Sequence, residues 1–141
     1  IIDYTHETQC SCGKYGCWEQ FCSTLSLLKY INQFVPVKDI DEFITLVDAN
    51  DPHALDALNL FVQYMATGIT NLIFILNPEN IILNSRIISA MPELVHEIHK
   101  YIVLPITNFQ DISISQLGDQ APLIGASSVC LQGFFKNIVS F

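Results

Sequence analysis

Three of the five cysteines in this chain of 141 residues stand close together, at Cys10, Cys12 and Cys17. The stretch reads C-S-C-G-K-Y-G-C, and its two glycines favour a tight loop that returns the third cysteine toward the first pair. Cys10 and Cys12 are too close along the chain to form an unstrained disulfide, and an odd number of cysteines argues against a disulfide framework. Zinc takes four ligands in a tetrahedron and accepts thiolates readily. The spacing therefore predicts a structural zinc site, with free or incidental cysteines as the alternative.

Three thiolates leave one position of the zinc tetrahedron without a ligand. Within the chain the candidates for that position are His6, Cys22 and His53. A further candidate is a residue that precedes Ile1. For Cys22 the commoner role of a cysteine, a small buried apolar residue, is the alternative.

Glu19 follows the last cysteine of the cluster after one residue, in the sequence G-C-W-E. A carboxylate beside a loop that a metal makes rigid is well placed to bind hydroxyl groups. The alternative is an acidic residue in the first turn of a helix, where the helix dipole favours negative charge. The residues alone favour this second explanation.

The overall composition excludes several classes of protein. Half of the residues are hydrophobic and 14% are charged, which excludes a disordered chain. The net charge is −8, so the chain lacks the basic surface that binds nucleic acid. No uninterrupted apolar run reaches the roughly 20 residues that span a bilayer, and the first residues lack the features of a signal peptide. We expect one cytoplasmic domain, and because the chain starts with Ile1 we interpret it as a fragment of a longer protein.

The hydrophobic pattern predicts helices first and then alternating strands and helices. Helices are expected over residues 19–34, 39–49, 52–76, 91–101 and 121–135, and strands over residues 81–83 and 111–117. This order favours an α/β fold with a small parallel sheet. Two strands are few for so much apolar helix surface. We therefore expect the sheet to be completed from outside the chain, and we expect a homo-oligomer.

Several single residues add detail to this pattern. Asp51 and Pro52 match the start of a helix, as N-cap and first helical residue. Gly68, inside the long helix, suggests close packing against a neighbour. His96 and His99 have a spacing that could bind a metal, but without an acidic or thiol partner nearby we interpret them as solvated surface residues.

The stretch from Cys10 to Glu19 resembles the zinc motif of the ROK family, which comprises bacterial sugar kinases and sugar-responsive repressors. That motif reads Cys-x-Cys-Gly-x-x-Gly-Cys-x-Glu, and this sequence matches it without a gap. Residues 77–83, N-P-E-N-I-I-L, are similar to the family's N-P-x-x-I-V strand entry. Residues 117–126 are similar to its closing L-G-x-x-A-x-x-x-G-A. The resemblance covers nearly the whole chain.

This resemblance implies an actin-like, ribonuclease-H-like ATPase fold. The chain would form the later part of the C-terminal lobe, as a single domain fragment over residues 1–141. Within it we expect a zinc loop at 1–19, a helical segment at 20–76 and a β-α-β-α segment at 77–141. The phosphate loop and the catalytic Asp of the family would lie upstream, so the resemblance implies no catalytic residue in this chain.

The resemblance also assigns roles to four residues. It implies that Cys10, Cys12 and Cys17 are zinc ligands and that Glu19 binds sugar hydroxyls, which reverses the preference drawn from the residues alone. The family's fourth zinc ligand is a His that would fall just before Ile1. Zinc is therefore expected to be structural, and to be partial or lost in this fragment.

One departure from the family pattern bears on function. ROK kinases usually follow the apolar strand with a Gly-Gly pair that lets the backbone approach the nucleotide, whereas this chain has Asn84 and Ser85. Side chains there would crowd that approach, which resembles the repressor branch and within it a xylose-repressor-like regulator. The resemblance thus implies the sugar-sensing effector domain of a transcriptional repressor, with no membrane role and with DNA bound only by a helix-turn-helix absent from this chain. The alternatives are part of an ATP-dependent sugar kinase, for which Asn84 and Ser85 are tolerated variants, and a zinc-stabilised interaction module.

Overall fold

Helices form most of the structure, a computed structural model that describes residues 9–102 and 108–139. Side chains are described as far as residue 136. The helices of the first part are α1 Glu19–Cys22, α2 Thr24–Ile31, α3 Ile40–Asp48 and α4 Pro52–Leu76. The remaining elements are β1 Asn80–Leu83, α5 Arg86–Ala90, α6 Leu94–Tyr101, β2 Asp111–Ile114, a 3-10 turn at Gly118–Gln120 and α7 Ala121–Val139.

The first predicted helix, over residues 19–34, is broken at Ser23. The Ser23 backbone is extended, its hydroxyl accepts from the Ser26 amide at 3.1 Å, and the Ser26 hydroxyl accepts from the Ser23 amide at 3.0 Å. This capping box starts α2 afresh. The inward-facing residues change as a result. The spacing of apolar residues over 19–34 predicts that Leu25 faces the core, but Leu25 is 77% exposed, whereas Leu27 and Ile31 are buried.

Aspartate caps define the starts of α3 and α4. The cap at Asp51 is as the sequence predicts, whereas Asp39, expected as the first residue of the helix over 39–49, is the N-cap of α3. Asp39 Oδ1 accepts from two backbone amides of the first turn of α3, at 3.0 and 3.1 Å. Asp51 Oδ1 accepts from two amides of the first turn of α4, at 2.9 and 3.0 Å, and Pro52 is the first residue of that helix. At its other end α4 stops at Asn77, which adopts the left-handed conformation with φ of 46°. Both predicted ends of α4 are therefore confirmed.

The long helix α4 is the centre of the core. It contacts α1, α2, α3 and α6, and its buried residues are Ala54, Ala57, Phe61, Val62, Met65, Ala66, Gly68, Ile69 and Ile73. Among the described residues, α4 is also the one helix long and apolar enough to cross a membrane by length and composition. Core helices of soluble proteins meet the same criterion, and four neighbouring helices cover this one.

The two strands pair in parallel, from Asn80 opposite Asp111 to Leu83 opposite Ile114. Parallel pairing is confirmed. The apolar run at 81–83 also predicts a buried strand, which is wrong for Ile82, because it is 69% exposed. Within the described residues the sheet has two strands, and Ile81 and Leu83 pack half-buried against the core while Ile82 lies on the opposite face of β1.

The elements around the strands differ from the prediction in their bounds. The second strand ends at Ile114 rather than 117, and the helix expected over 91–101 begins at Leu94. The short helix α5 was not predicted, because five residues are too few to establish a helical period. The predicted helix 121–135 corresponds to α7.

The last helix, α7, lies against the 3-10 turn and leaves its described apolar side chains exposed. Leu123 is 71% exposed, Val129 69% and Phe134 61%. The small residues at 125–128 would permit the close approach of another backbone, but within the described residues a Cβ added at Gly125 would meet no atom within 4 Å. An apolar face this open favours association.

We expect the chain to self-associate through α7. Leu123→Glu should shift the population toward the monomer, because it places a charge on the apolar face, whereas Leu25→Glu should not, because Leu25 is an equally exposed leucine on α2. Light scattering after gel filtration at micromolar concentration measures the mass. A wild-type peak that stays at the monomer mass of 15.9 kDa on concentration would contradict the prediction.

Candidate functional site

A tight loop brings the clustered cysteines together. The Cys10 amide donates to Lys14 O at 2.8 Å, and the Gly13 amide donates to Cys10 O at 2.9 Å. Gly13 and Gly16 have φ of 82° and 66°, a region that glycine occupies without steric penalty. The loop therefore returns Cys17 toward Cys10 and Cys12, as predicted.

The three thiols fit a metal. The sulfur atoms of Cys10, Cys12 and Cys17 all lie within 4.8 Å of one another, and the Sγ atoms of Cys12 and Cys17 are 3.6 Å apart. Four thiolates around a zinc ion at about 2.3 Å would be separated by about 3.8 Å. The spacing and chemistry of these donors thus match what a tetrahedral metal site needs.

The ionisation of Cys10 and Cys17 depends on the neighbouring thiols. A backbone hydrogen bond from Cys12 lowers the pKa of Cys10. The hydrogen bond to Cys12, with burial and the charges of the other two cysteines, raises the pKa of Cys17 to about 11. In the absence of a cation Cys17 therefore favours its protonated form near neutral pH. A divalent ion reverses this preference, because it stabilises every thiolate that it contacts.

No fourth ligand joins the three thiols within the described residues. Burial, with the nearby charge of Glu19, raises the pKa of Cys22 to about 12, and its thiol donates to Trp18 O at 3.4 Å. Cys22 therefore has the role of a small buried residue. The His53 ring stacks on Phe34 with centroids 4.6 Å apart, and His6 lies outside the described residues.

Glu19 stands at the junction between the cysteine loop and a cleft. It is the first residue of α1, it is exposed, and its Oε2 lies 3.9 Å from Cys10 Sγ. The cleft beside it measures about 450 Å³, which lies within the range of small-molecule sites. Across the cleft from α1 are Asn84, Ser85 and Arg86, the residues that follow β1.

Glu19 and Asn84 are separate features of the sequence, but the fold places both of them on one cleft. Asn84 Nδ2 donates to Gly118 O at 3.1 Å, so its side chain connects the end of β1 to the turn before α7. Arg86 Nη2 lies 3.7 Å from Asp41 Oδ2, which draws the guanidinium toward α3. No sequence signal linked these positions, because 65 residues separate Glu19 from Asn84.

A second cavity and the histidine pair His96 and His99 are further candidates for a functional site. The second cavity, of about 280 Å³, lies between α2 and α4, and none of its lining residues is charged. His96 is exposed, as expected. His99 has an acidic partner, contrary to expectation. Its Nε2 lies 3.4 Å from Oδ1 of Asp111, the first residue of β2.

Comparison with known proteins assigns the chain to a family. The family model described as ROK family matches residues 1–132, almost the whole chain. The chain belongs to the ROK family. The resemblance drawn from the cysteine motif is therefore confirmed.

Two curated relatives of this ROK chain are xylose repressors. It is 32% identical over 134 residues to the xylose repressor of Bacillus subtilis (strain 168) and 35% identical over 134 residues to that of Bacillus spizizenii. Each match covers 92% of this chain and 35% of the repressor. The chain thus spans about a third of the length of the curated relatives it matches.

A solved structure shows which fold this is. The structure of a ROK family glucokinase from Streptomyces griseus, in complex with glucose and AMPPNP, matches with a TM-score of 0.75 at 21% sequence identity. The match covers 92% of this chain and 49% of that chain. The helix-rich chain with its small parallel sheet therefore has the fold of this ROK kinase, the actin-like ATPase fold, as expected.

We expect metal binding to depend on the three clustered cysteines and not on the other two. Co²⁺ serves as the probe, because thiolate coordination gives it a characteristic absorption. Cys12→Ser should weaken binding by at least about tenfold, because it removes one of three thiolate ligands. Cys22→Ser and Cys130→Ser are the matched controls. Equal loss in Cys12→Ser and Cys130→Ser would contradict the assignment.

Proposed function

We propose that this chain is the sugar-sensing effector part of a ROK-family transcriptional repressor. The observation that carries the proposal is the position of Glu19, on a cleft of about 450 Å³ beside the thiol cluster. The similarity to two xylose repressors at 32% and 35% identity supports it. A pentose or hexose is the class of ligand that we propose.

Glu19 is proposed to bind sugar hydroxyls. It is exposed, so its carboxylate is accessible to a ligand that enters the cleft. An ionised carboxylate accepts two or more hydrogen bonds from neighbouring hydroxyls, and such charge-assisted bonds are among the stronger ones. The apolar residues Met65, Leu83 and Ile88 line the same cleft and suit the less polar face of a sugar ring.

Zinc is the metal that we propose for the cysteine loop, held by Cys10, Cys12 and Cys17. When bound, it would supply structural rigidity. The chain's own residues then do the positioning: the loop hydrogen bonds bring the thiols together, and Glu19 follows the last thiol after one residue. With three protein ligands within the described residues, zinc in this chain alone is proposed to bind weakly.

Asn84 supports a repressor rather than a kinase. Its side chain and that of Ser85 occupy the position where ROK kinases usually have a Gly-Gly pair, and Asn84 is hydrogen-bonded to Gly118 O. A nucleotide that needed this backbone would have to displace both side chains. The second candidate, part of an ATP-dependent sugar kinase, is favoured by the fold shared with the glucokinase.

We propose that the larger protein is a cytoplasmic homo-oligomer with two arrangements. Regulation of DNA binding then acts through the populations of these two arrangements. A sugar that binds one arrangement more tightly shifts the equilibrium toward it and so changes the affinity for DNA elsewhere in the protein. With a net charge of −8 the chain itself is unsuited to contact DNA. The DNA-binding helix-turn-helix therefore belongs outside these 141 residues.

We expect Glu19→Gln to weaken sugar binding by about tenfold to a hundredfold. The variant keeps the size of the side chain and removes its charge, which contributes roughly 1.5–3 kcal/mol in a hydrogen bond to a charged group. Titration calorimetry with a panel of pentoses and hexoses measures the affinity. Glu79→Gln, at an exposed position outside the cleft, is the control. Unchanged affinity in Glu19→Gln would contradict the role of Glu19.

We also expect no kinase activity from this chain. The side chains of Asn84 and Ser85 crowd the backbone that a nucleotide would approach, so ATP should neither bind nor be hydrolysed. A coupled assay with ATP and the same sugars measures ADP release, and calorimetry with a non-hydrolysable ATP analogue measures binding. Sugar-dependent ADP release above a blank without protein would favour the kinase function.

A further inference from the structure

The single tryptophan of the chain, Trp18, lies between Cys17 and Glu19 and packs its indole on α4. Its Nε1 donates to Tyr64 O at 2.7 Å. The same ring covers Gly68, where an added Cβ would overlap Trp18 Cε2, Cζ2 and Nε1. The indole thus contacts the backbone of α4 directly at two positions one turn apart.

This contact depends on the absence of a side chain at residue 68. Glycine is disfavoured in the interior of a helix, and Gly68 is both buried and interior to a helix of 25 residues. The space that its missing side chain leaves is filled by the indole. Gly68 was predicted to pack closely against a neighbour, and Trp18 is that neighbour.

Further contacts hold Trp18 from the side of α1. The Phe21 ring lies against the Tyr64 ring with centroids 4.8 Å apart. The Cys22 thiol donates to Trp18 O at 3.4 Å. Trp18 is therefore held by the hydrogen bond of its Nε1, by the packing of its ring on Gly68 and by the Cys22 thiol at its backbone carbonyl, while the Phe21–Tyr64 contact joins α1 to α4 beside it. Its neighbours along the chain are the third clustered thiol and the carboxylate of the cleft.

Trp18 itself lines the cleft, together with Glu19 and with Met65 of α4. The carboxylate is exposed, and among the described residues its polar contact is with Cys10, at 3.9 Å. That contact is too long and too weak to fix its direction. The direction of Glu19 is therefore set through the main chain, by whatever holds the residue before it.

We propose that Trp18 is a positioning residue, which fixes Glu19 at the cleft by seating its indole against Gly68 and Tyr64 of α4. A group larger than hydrogen at residue 68 would push the indole off the helix and carry Glu19 with it. The loop as a whole would lose its anchor on α4, while its internal hydrogen bonds keep the three thiols close enough to bind a metal. The effect on ligand binding rests on the function proposed above for Glu19.

Gly68→Ala tests the proposal, with Gly125→Ala as the matched control, since a Cβ at Gly125 meets no atom within 4 Å. In Gly68→Ala we expect Trp18 fluorescence to become at least about twice as sensitive to acrylamide, because the displaced ring meets solvent. We expect trypsin to cleave after Lys14 at least about tenfold faster, because the exposed loop is less well held. Co²⁺ affinity should change by less than about threefold. Gly125→Ala should match the wild type in all three.

Measurement of sugar binding distinguishes a positioning role of Trp18 from general destabilisation of the fold. Gly68→Ala should weaken sugar binding by at least about tenfold while Co²⁺ binding is retained. Adding Trp18→Phe to Gly68→Ala should restore most of the sugar affinity, because the smaller ring lacks the atoms that overlap the new methyl group. A protein that fails to fold would lose metal and sugar together and would not be rescued, which would overturn the proposal.

The outcomes distinguish this proposal from the proposed function. If Glu19→Gln abolishes sugar binding but Gly68→Ala leaves it unchanged, the positioning role is wrong and the function stands. If no sugar binds the wild type, the function is wrong, and the acrylamide and trypsin results then decide whether Trp18 is held by Gly68. Unchanged quenching and cleavage in Gly68→Ala would overturn the positioning role whatever the sugars do.

Discussion

The rest of the structure depends on the burial of one face of α4. Phe61, Ile69 and Ile73 on this helix are 0–1% exposed, and α1, α2, α3 and α6 all pack on it. Small residues alternate with the large ones along the same face, so neighbouring helices approach the backbone closely. Burial of several large side chains, each contributing roughly 1.5–3 kcal/mol, makes this helix the main source of stability.

The candidate site uses α4 as a support on one side and the end of β1 on the other. The cysteine loop reaches α4 through Trp18, and Asn84 reaches the turn before α7 through Gly118. A cleft forms where these two connections face each other. Exposed apolar side chains lie on α7, on the outer face of β1 at Ile82 and at the end of α4, where Ile75 is 76% exposed.

Sequence alone determined the features that depend on neighbouring residues. Asp51 was recognisable as a helix cap, because a cap bonds amides two or three residues away. The thiol cluster was recognisable because its members lie within one short loop. The requirement for close packing at Gly68 could also be predicted, because an interior glycine costs a helix about 1 kcal/mol and needs a compensating reason. The family followed from the same local motif.

Only the tertiary structure decided which distant residues meet. The contact between Trp18 and Tyr64 joins residues 46 apart, and that between Asn84 and Gly118 joins residues 34 apart. No local period encodes such pairs, because they depend on how whole helices pack. The break of the first predicted helix at Ser23 was also decided by the tertiary structure. The run of apolar residues favoured one continuous helix, but the capping box starts a second helix that packs in a new direction. Residue types and spacing determined the chemistry available to this protein, and the packing of α4 decided which of those groups share a cleft.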